Sequence, residues 1–442
     1  MKQPELSRRI SLLQATAINM TDMVGIGPFI VLSIVATTMH GPGFLYAWVA
    51  GAVLSFIDAM VWSELGATFP MAGGSYNFLK EGFGPRTGKL MSFLFVWQTM
   101  IQAPLVIASA AIGFAHYAGY IVPLGFWGTK AVSGGMVLLI IFMLYRKIET
   151  IGRISVFLWM GVLVTMAWII GGGIAHGQFM EPIRHVNDGL QLNYAFASAL
   201  GMASVKTVYS YLGYYNVCHL GGEITRPEKN IPRSMLISIA GISVLYLCMN
   251  VSVASVLPQD QIEQSSFVVS EFIEALMGST AAKIGTVLIL WVAFASVFSA
   301  TLGYSRIPYA AAKDGAFFSV FARLHPTKNF PHVSLLVLGG VAFVFSLLFK
   351  IKEVIDAILA MRIMIQFIAQ AIGLLLLSKR NGRGFFKWHM PLYPIPVILA
   401  ILIWACIFRS TGVHMMLAGL TVTVAGVIVY FIKSRLPVKD LQ

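Results

Sequence analysis

Two glycines and a proline interrupt an apolar stretch near the start of the chain, in the segment Asp22-Met23-Val24-Gly25-Ile26-Gly27-Pro28-Phe29. The apolar stretch covers about residues 10 to 39, enough to cross a bilayer as one helix. Glycine weakens a helix, and proline lacks a donor and clashes with the preceding turn, so the helix should break here. Broken backbone is not tolerated against lipid. The segment therefore predicts a membrane helix that lines a cavity inside the protein.

The composition of the whole chain also indicates a membrane protein. Of the 442 residues, 57% are hydrophobic and 11% are charged, whereas soluble domains contain about 25% charged residues. Apolar runs between charged or Gly/Pro-rich breaks predict an all-α membrane protein with about 12 transmembrane helices. The runs are approximately 10 to 39, 43 to 66, 88 to 118, 128 to 145, 151 to 175, 192 to 218, 233 to 257, 281 to 304, 333 to 349, 354 to 377, 391 to 408 and 413 to 432.

The excess of basic residues is explained by topology. The chain has 31 Lys and Arg against 18 Asp and Glu, which in a soluble protein would suggest a nucleic acid partner. However, 23 of the 31 fall on alternate loops of one side and 6 on the other, and basic loops face the cytoplasm. We therefore expect a multi-pass protein of the inner or plasma membrane, with both termini cytoplasmic, the lipid bilayer as a partner and no nucleic acid partner.

A second interruption occurs in the predicted sixth span, at Tyr209-Ser210-Tyr211-Leu212-Gly213-Tyr214-Tyr215-Asn216. Spans one and six correspond if the chain is two five-helix repeats followed by two extra helices. Interrupted helices at matched positions in two halves are the best sequence indication of a transporter's binding site. We expect one domain over 1–442, with inverted repeat A at about 10–175, inverted repeat B at about 192–377 and the extra helices at about 391–432.

The half-helix after the first interruption should begin near Pro28, where a missing N–H costs little. The N–H groups of Gly27, Phe29 and Ile30 would then lie free at the positive end of a helix dipole. Such an arrangement binds carboxylates. A simple packing kink is the alternative, because Gly and Pro are common in membrane helices.

Four motifs resemble those of the amino acid/polyamine/organocation (APC) transporter superfamily, and together they span nearly the whole transmembrane length. They are Gly25-Ile26-Gly27-Pro28-Phe29, the stretch from Glu64 to Tyr76 (E-L-x-x-x-x-P-x-x-G-G-x-Y), the stretch from Glu223 to Arg233 (E-x-x-x-P-x-x-x-I-P-R), and Ser305-Arg306 followed by Ala311-Ala312-Lys313-Asp314-Gly315. The resemblance implies two inverted repeats, with a substrate bound between broken helices one and six. It also implies an amino-acid permease type of transporter.

The resemblance further implies roles for single residues. The substrate carboxylate would meet backbone amides around Ile26, Gly27 and Phe29. The amine would meet carbonyls near Met23 and in the stretch from Tyr209, a lid over the substrate, to Tyr211. The implied substrate-binding residues are Met23, Ile26, Gly27, Phe29, Tyr209, Ser210, Tyr211, Gly213, Tyr214, Tyr215 and Gln102. The sequence departs from the family pattern at Pro28, which removes one amide, and within 154 to 175, where some members carry a sodium-replacing lysine.

Four ionisable residues lie well inside predicted spans, namely Asp22, Asp58, Lys206 and Arg362. Charges at this depth are costly, so they face the protein interior, pair with one another and mark functional pathways. We hypothesise that the two bases pair with the two acids and that one acid titrates during transport. A static ion-pair network is the alternative.

The sequence offers few other residues for ion coupling, gating, metal binding or catalysis. Sodium coupling would need oxygen ligands such as Ser296 and Ser299, which share one face of the eighth helix, so proton and sodium both stay open as coupling ions. Glu64 and Glu223 lie near cytoplasmic helix ends and are expected to form inner-gate ion pairs. The cysteines and histidines show no metal-ligand spacing, and no nucleophile and base are paired. We predict no enzyme, no metal and no cofactor.

The leading hypothesis is a secondary active transporter or exchanger, an antiporter or symporter, whose small-molecule substrate is a neutral amino acid. The first alternative is a polyamine or other organic-cation transporter of the same fold, in which Asp22 and Asp58 bind ammonium groups. The second is a membrane amino-acid sensor that binds without transporting. The sequence leaves the oligomeric state open.

Overall fold

The computed structural model describes residues 6–41, 43–188, 190–348 and 361–435. Within these ranges the chain is mostly helical and contains no β-strand. Eight helices there are long and apolar enough to cross a membrane, or nine if the bent pair at the N-terminus counts as one span. The predicted all-α, multi-pass fold is confirmed. The count of twelve spans and the division into repeats stay predictions, and the first residues of the predicted span 354 to 377 lie outside the described ranges.

The helices are numbered in chain order. They are α1 (Leu12–Met23), α2 (Gly27–Met39), α3 (Phe44–Thr68), α4 (Ser75–Ala118), α5 (Phe126–Leu144), α6 (Ile148–His176), α7 (Glu181–Arg184), α8 (Tyr194–Tyr211), α9 (Asn216–His219), α10 (Pro227–Ala254), α11 (Gln259–Gln264), α12 (Val268–Tyr304), α13 (Arg306–Lys313), α14 (His332–Leu348), α15 (Gln370–Asn381), α16 (Ile395–Ser410) and α17 (Val413–Arg435). A π-helix at Ile363–Ala369 leads directly into α15.

The first predicted span consists of two helices, α1 and α2, that meet at an angle of 47°. The break falls at the glycines, and Pro28 occupies the first turn of α2, as predicted. The N–H of Ile30 donates to the carbonyl of Ile26 at 3.4 Å. The expected free amide at Ile30 is therefore wrong, because this is already an i→i−4 bond of the new helix. Gly27 and Phe29 lie before that bond, where helix N–H groups have no partner within the helix.

The predicted sixth span is also broken. α8 ends at Tyr211, α9 begins at Asn216, and Gly213 between them has a φ of 124°. Glycine adopts this conformation readily, whereas other residues do so only with strain. A Cβ atom on Gly213 would lie 2.8 Å from the backbone N of Met23 and 2.9 Å from the carbonyl C of Asp22. The two interrupted helices are therefore in direct backbone contact.

α4 and α12 begin earlier than the predicted spans 88 to 118 and 281 to 304. Each bends at a glycine of positive φ, Gly84 at 72° and Gly278 at 81°. The section before each bend contains polar residues, which made it resemble a loop in the sequence. Both halves of the chain share this feature at the same place in the helix order, which supports the predicted repeats.

The interrupted helices lie at the centre of the bundle. α1 packs against α6, α10 and α12, and α2 packs against α8. Trp48 and Trp62 of α3 and Trp404 of α16 are almost fully buried between these helices. α17 is far more exposed than the other apolar helices, with 11% of its apolar window buried. The broken backbone is thus enclosed by protein, as its exclusion from lipid requires.

Candidate functional site

A cavity of about 350 Å³ lies where the two interrupted helices meet. Eleven of the residues singled out from the sequence line it, namely Asp22, Met23, Ile26, Gly27, Lys206, Tyr209, Ser210, Gly213, Tyr215, Ser296 and Arg362. The wall is completed mainly by α4 and α12, through Val106, Ile107, Ser109, Ala110, Val297, Ala300 and Tyr304. The structure therefore brings the predicted residues together. Their contact with a substrate stays a prediction.

Six predicted residues are not part of the cavity wall, namely Phe29, Asp58, Gln102, Tyr211, Tyr214 and Ser299. The tyrosines differ because of the turn at Gly213. Tyr215 faces the cavity, whereas the hydroxyl of Tyr214 donates to Asp58 in α3. Tyr211, at the end of α8, donates to the backbone carbonyl of Trp48 at 3.3 Å. We interpret Tyr211 and Tyr214 as packing residues behind the cavity wall.

The two serines of α12 bind the backbone of α1. Ser296 Oγ donates to the carbonyl of Asp22 at 3.0 Å, and Ser299 Oγ donates to the carbonyl of Ile18 at 2.7 Å. The Asp22 carbonyl lies in the last turn of α1, where carbonyls lack intrahelical donors, and Ser296 supplies one. The bond from Ser299 is an additional tie between α12 and α1. A sodium ion bound to these oxygens would have to replace both hydrogen bonds.

Tyr246 of α10 joins the two breaks, a role that the sequence did not indicate. Its hydroxyl lies 2.8 Å from the carbonyl oxygen of Met23 and 3.1 Å from that of Ser210. The Met23 carbonyl also accepts from the N–H of Gly25 at 3.1 Å. A carbonyl oxygen has two lone pairs, so Met23 has no acceptor left for a substrate amine in this conformation. The expected amine contact at the Met23 carbonyl is therefore not supported.

Asp58 has partners other than those predicted. Its carboxylate accepts hydrogen bonds from the hydroxyl of Tyr214 and from Trp404 Nε1, the latter at 2.8 Å. Both donors are neutral, so the hypothesis that Asp58 pairs with Lys206 or Arg362 is wrong for this conformation. Asp58 instead links α3 to α16 and to the turn that follows α8.

Asp22 and Arg362 both face the cavity and attract each other electrostatically. Lys206, which is half-buried, also lines the cavity. Arg362 lies over the rings of Tyr215 and Tyr304, with its guanidinium carbon 5.2 Å and 5.7 Å from the ring centroids. The cavity therefore contains charges of both signs among aromatic and apolar surfaces.

Two ion pairs lie at the end of the bundle that carries the N-terminal segment. Arg306 contacts Glu223 at 2.9 and 3.0 Å, and both side chains are buried, 2% and 0% exposed. Arg383 donates two hydrogen bonds to Glu64. Both acids and Arg306 lie in the motifs quoted from the sequence, so opposite charges on one predicted side could have suggested the first pair. A role of these pairs in gating stays a prediction.

The cavity extends away from these ion pairs. Its wall reaches Ile34, about two turns into α2, and Ile34 is 41% exposed. Towards the ion pairs, stacked rings fill the bundle. The ring centroids of Trp62 and Tyr215 lie 4.6 Å apart, and those of Phe367 and Trp404 lie 3.9 Å apart. The cavity wall thus extends from the breaks towards the end opposite the N-terminal segment, and stacked rings lie on its other side.

Residues 10–432 match the family model for amino acid permeases. The chain belongs to the amino acid permease family. The permease is 25% identical to the serine/threonine exchanger SteT of Bacillus subtilis (strain 168), over 96% of this chain and 97% of the relative. It is 23% identical to the cystine/glutamate transporter of Homo sapiens, over 97% and 85% of the two chains. It is 24% identical to the large neutral amino acids transporter small subunit 2 of Mus musculus, over 97% and 81%. The resemblance drawn from the motifs is confirmed.

Replacing Gly213 with alanine should impair the permease. The added Cβ would approach backbone atoms of α1 to 2.8 Å, and the φ of 124° is strained for any other residue. We expect a loss of about 1–3 kcal/mol of stability together with slower uptake, measured by thermal unfolding and in proteoliposomes. Gly201→Ala is the control, because a Cβ there meets nothing within 4 Å. Normal uptake by Gly213→Ala would contradict the close contact between the breaks.

Glu223→Gln should destabilise the permease strongly, because it leaves Arg306 buried without a counter-charge. Breaking such a pair costs about 3–5 kcal/mol, which thermal unfolding in detergent would detect. Asp314→Asn is the control, since its pair with Lys80 is more than one-third exposed on both sides and is worth about 0–1 kcal/mol. Equal effects of the two substitutions would refute the importance of the buried pair.

Proposed function

We propose that the permease is a secondary active transporter or exchanger of amino acids that works by alternating access. One observation carries the proposal. Two interrupted helices meet at an internal cavity that extends towards one end of the bundle, while stacked rings and buried ion pairs lie towards the other. Secondary transporters bind solutes at such interruptions. The family and the transported substrates of its relatives support an amino acid as the substrate.

The described conformation would be the outward-facing half of the cycle. If the N-terminus is cytoplasmic, as the distribution of Lys and Arg predicts, the cavity opens to the outside of the inner or plasma membrane. The pairs of Glu223 with Arg306 and of Glu64 with Arg383 would then form the inner gate. Inward opening requires these pairs to separate or to move together.

A neutral amino acid is the substrate class that we propose. Its carboxylate would bind at the first turn of α2, where Gly27 lines the cavity and carries a backbone N–H group without a partner within the helix. Asp22 offers an anionic partner for the ammonium group in the same cavity. The charges of Asp22 and Arg362 are opposite. A zwitterion has no net charge, so its binding does not disturb the balance between them.

The cavity disfavours a polyamine. Asp22 and Arg362 line it with opposite charges, and a polyamine would add at least two positive charges. Like charges at short range repel strongly where water is scarce. A sensor that binds amino acids without transport has the same fold and site, so only a flux measurement separates it from a transporter.

Proteoliposomes that contain the permease and a trapped unlabelled amino acid should accumulate labelled leucine or glutamine by counterflow. We expect neutral amino acids to compete and putrescine to have no effect. Protein-free liposomes are the control. A ligand should also stabilise the protein by about 2.7 kcal/mol at a hundred times its dissociation constant. Competition by putrescine alone would replace the amino-acid proposal, and stabilisation without counterflow would indicate a sensor.

We further propose that Asp22, rather than Asp58, is the acid that titrates, because Asp22 faces the cavity. Asp22→Asn should reduce substrate-driven acidification of the liposome interior, measured with a trapped pH-sensitive dye. Asp58→Asn should instead lower thermal stability by about 1–3 kcal/mol, because Tyr214 and Trp404 lose their charged acceptor. Unchanged proton flux with normal uptake in Asp22→Asn would exclude this role.

A further inference from the structure

A buried guanidinium group in the cavity wall has an unused donor. Arg362 is 4% exposed and lines the cavity. Its Nε donates to Gln366 Oε1 at 2.9 Å, and the group also interacts with the hydroxyls of Tyr215 and Tyr304 and attracts Asp22. Its Nη2 still has no hydrogen-bond partner among the described residues. A buried charged donor without an acceptor is unfavourable, so the position is suited to a ligand that brings one.

Arg362 lines the same cavity as the break in α1 and α2. Its guanidinium carbon lies 5.2 Å from the ring centroid of Tyr215, two residues after the turn at Gly213 that contacts α1, and it attracts Asp22 at the end of α1. Gly27, in the first turn of α2, lines that cavity too. A substrate whose carboxylate binds at α2 therefore has Arg362 among the groups that face its side chain.

The groups around Arg362 are rich in donors. A guanidinium has five N–H donors and no acceptor. The side-chain nitrogen of Gln366 also has no partner among the described residues, and the side chain of Gln102 interacts with Tyr304. An amide can be turned to present oxygen, but a guanidinium cannot. Arg362 therefore sets the requirement for an acceptor on the ligand.

We propose that Arg362 determines specificity by binding a carbonyl oxygen at the end of the substrate side chain. The substrate class is then an amino acid with a terminal carboxamide or carboxylate, such as glutamine or glutamate, rather than an aliphatic one. The inference rests on the proposed function and refines it. Sites built to hydrogen-bond a substrate group discriminate strongly against analogues that lack it, because the protein group is left unpaired.

The test compares ligands of similar length on the full-length permease. Glutamine and glutamate are measured against norleucine and methionine, by thermal shift and by competition in counterflow. We expect glutamine, glutamate or both to bind at least about tenfold more tightly than norleucine. If glutamine binds more tightly than norleucine, the substrate is a neutral amino acid. If only glutamate does, the substrate is an acidic amino acid. Either result supports the acceptor requirement.

A set of variants tests the residue itself. Arg362→Met should weaken the binding of glutamine or glutamate about tenfold or more. The binding of norleucine should stay unchanged, so that the preference is lost. Arg362→Lys should retain part of the preference. Arg409→Met is the control, because Arg409 is an exposed arginine at the end of α16, outside the cavity wall.

The comparison in the unmodified protein does not depend on the folding of any variant. Equal binding of glutamine, glutamate and norleucine would overturn the inference and leave amino-acid transport standing. An equal loss for all ligands in Arg362→Met would also overturn it. Failure of every amino acid to bind or exchange would overturn the proposed function as well.

Discussion

The need to satisfy backbone hydrogen-bonding groups within a membrane determines the centre of this protein. An interrupted helix exposes N–H and C=O groups that lipid cannot accept, and each one left unpaired costs free energy. Side chains from neighbouring helices supply the missing partners. Ser296 binds the carbonyl of Asp22, Tyr246 binds carbonyls at both breaks, and Asn19 accepts from the N–H of Val217. The unpaired amide of Gly27 at the start of α2 is the group to which the proposed carboxylate would bind.

These side-chain bonds are weaker than the packing that surrounds them. Each helps to fix the position of α1 or the α8–α9 turn, yet each is a single hydrogen bond worth about 0.5–1.5 kcal/mol. The surrounding helices α3, α6 and α10 are held by extensive burial of apolar and aromatic side chains. Segments held by single hydrogen bonds thus lie within a frame held by apolar packing, as the proposed alternating access requires.

Much of this architecture was predictable from the sequence, for physical reasons. The break at Gly25 to Pro28 follows from the chemistry of two residue types, and the break around Gly213 from the loss of apolar character. The partners of Asp58 were not predictable, because Trp404 is 346 residues away and neutral. The role of Tyr246 could not be foreseen either, since a tyrosine in an apolar span gives no sign of which carbonyls it reaches. The sequence predicted the residues that act through their own backbone conformation. It did not predict the residues that act through contacts distant in the chain.

The contact between Asp58 and Trp404 has a consequence for how the protein is made. α3 enters the membrane early in synthesis with a carboxylate that lipid does not tolerate. One of its two neutral donors, Tyr214, arrives with the turn after α8, and the other only with α16. Until then Asp58 must keep its own proton or retain water. α16, the penultimate described helix, is thus needed before Asp58 of α3 has both of its donors. A chain released before α16 would carry an incompletely partnered acid at its core.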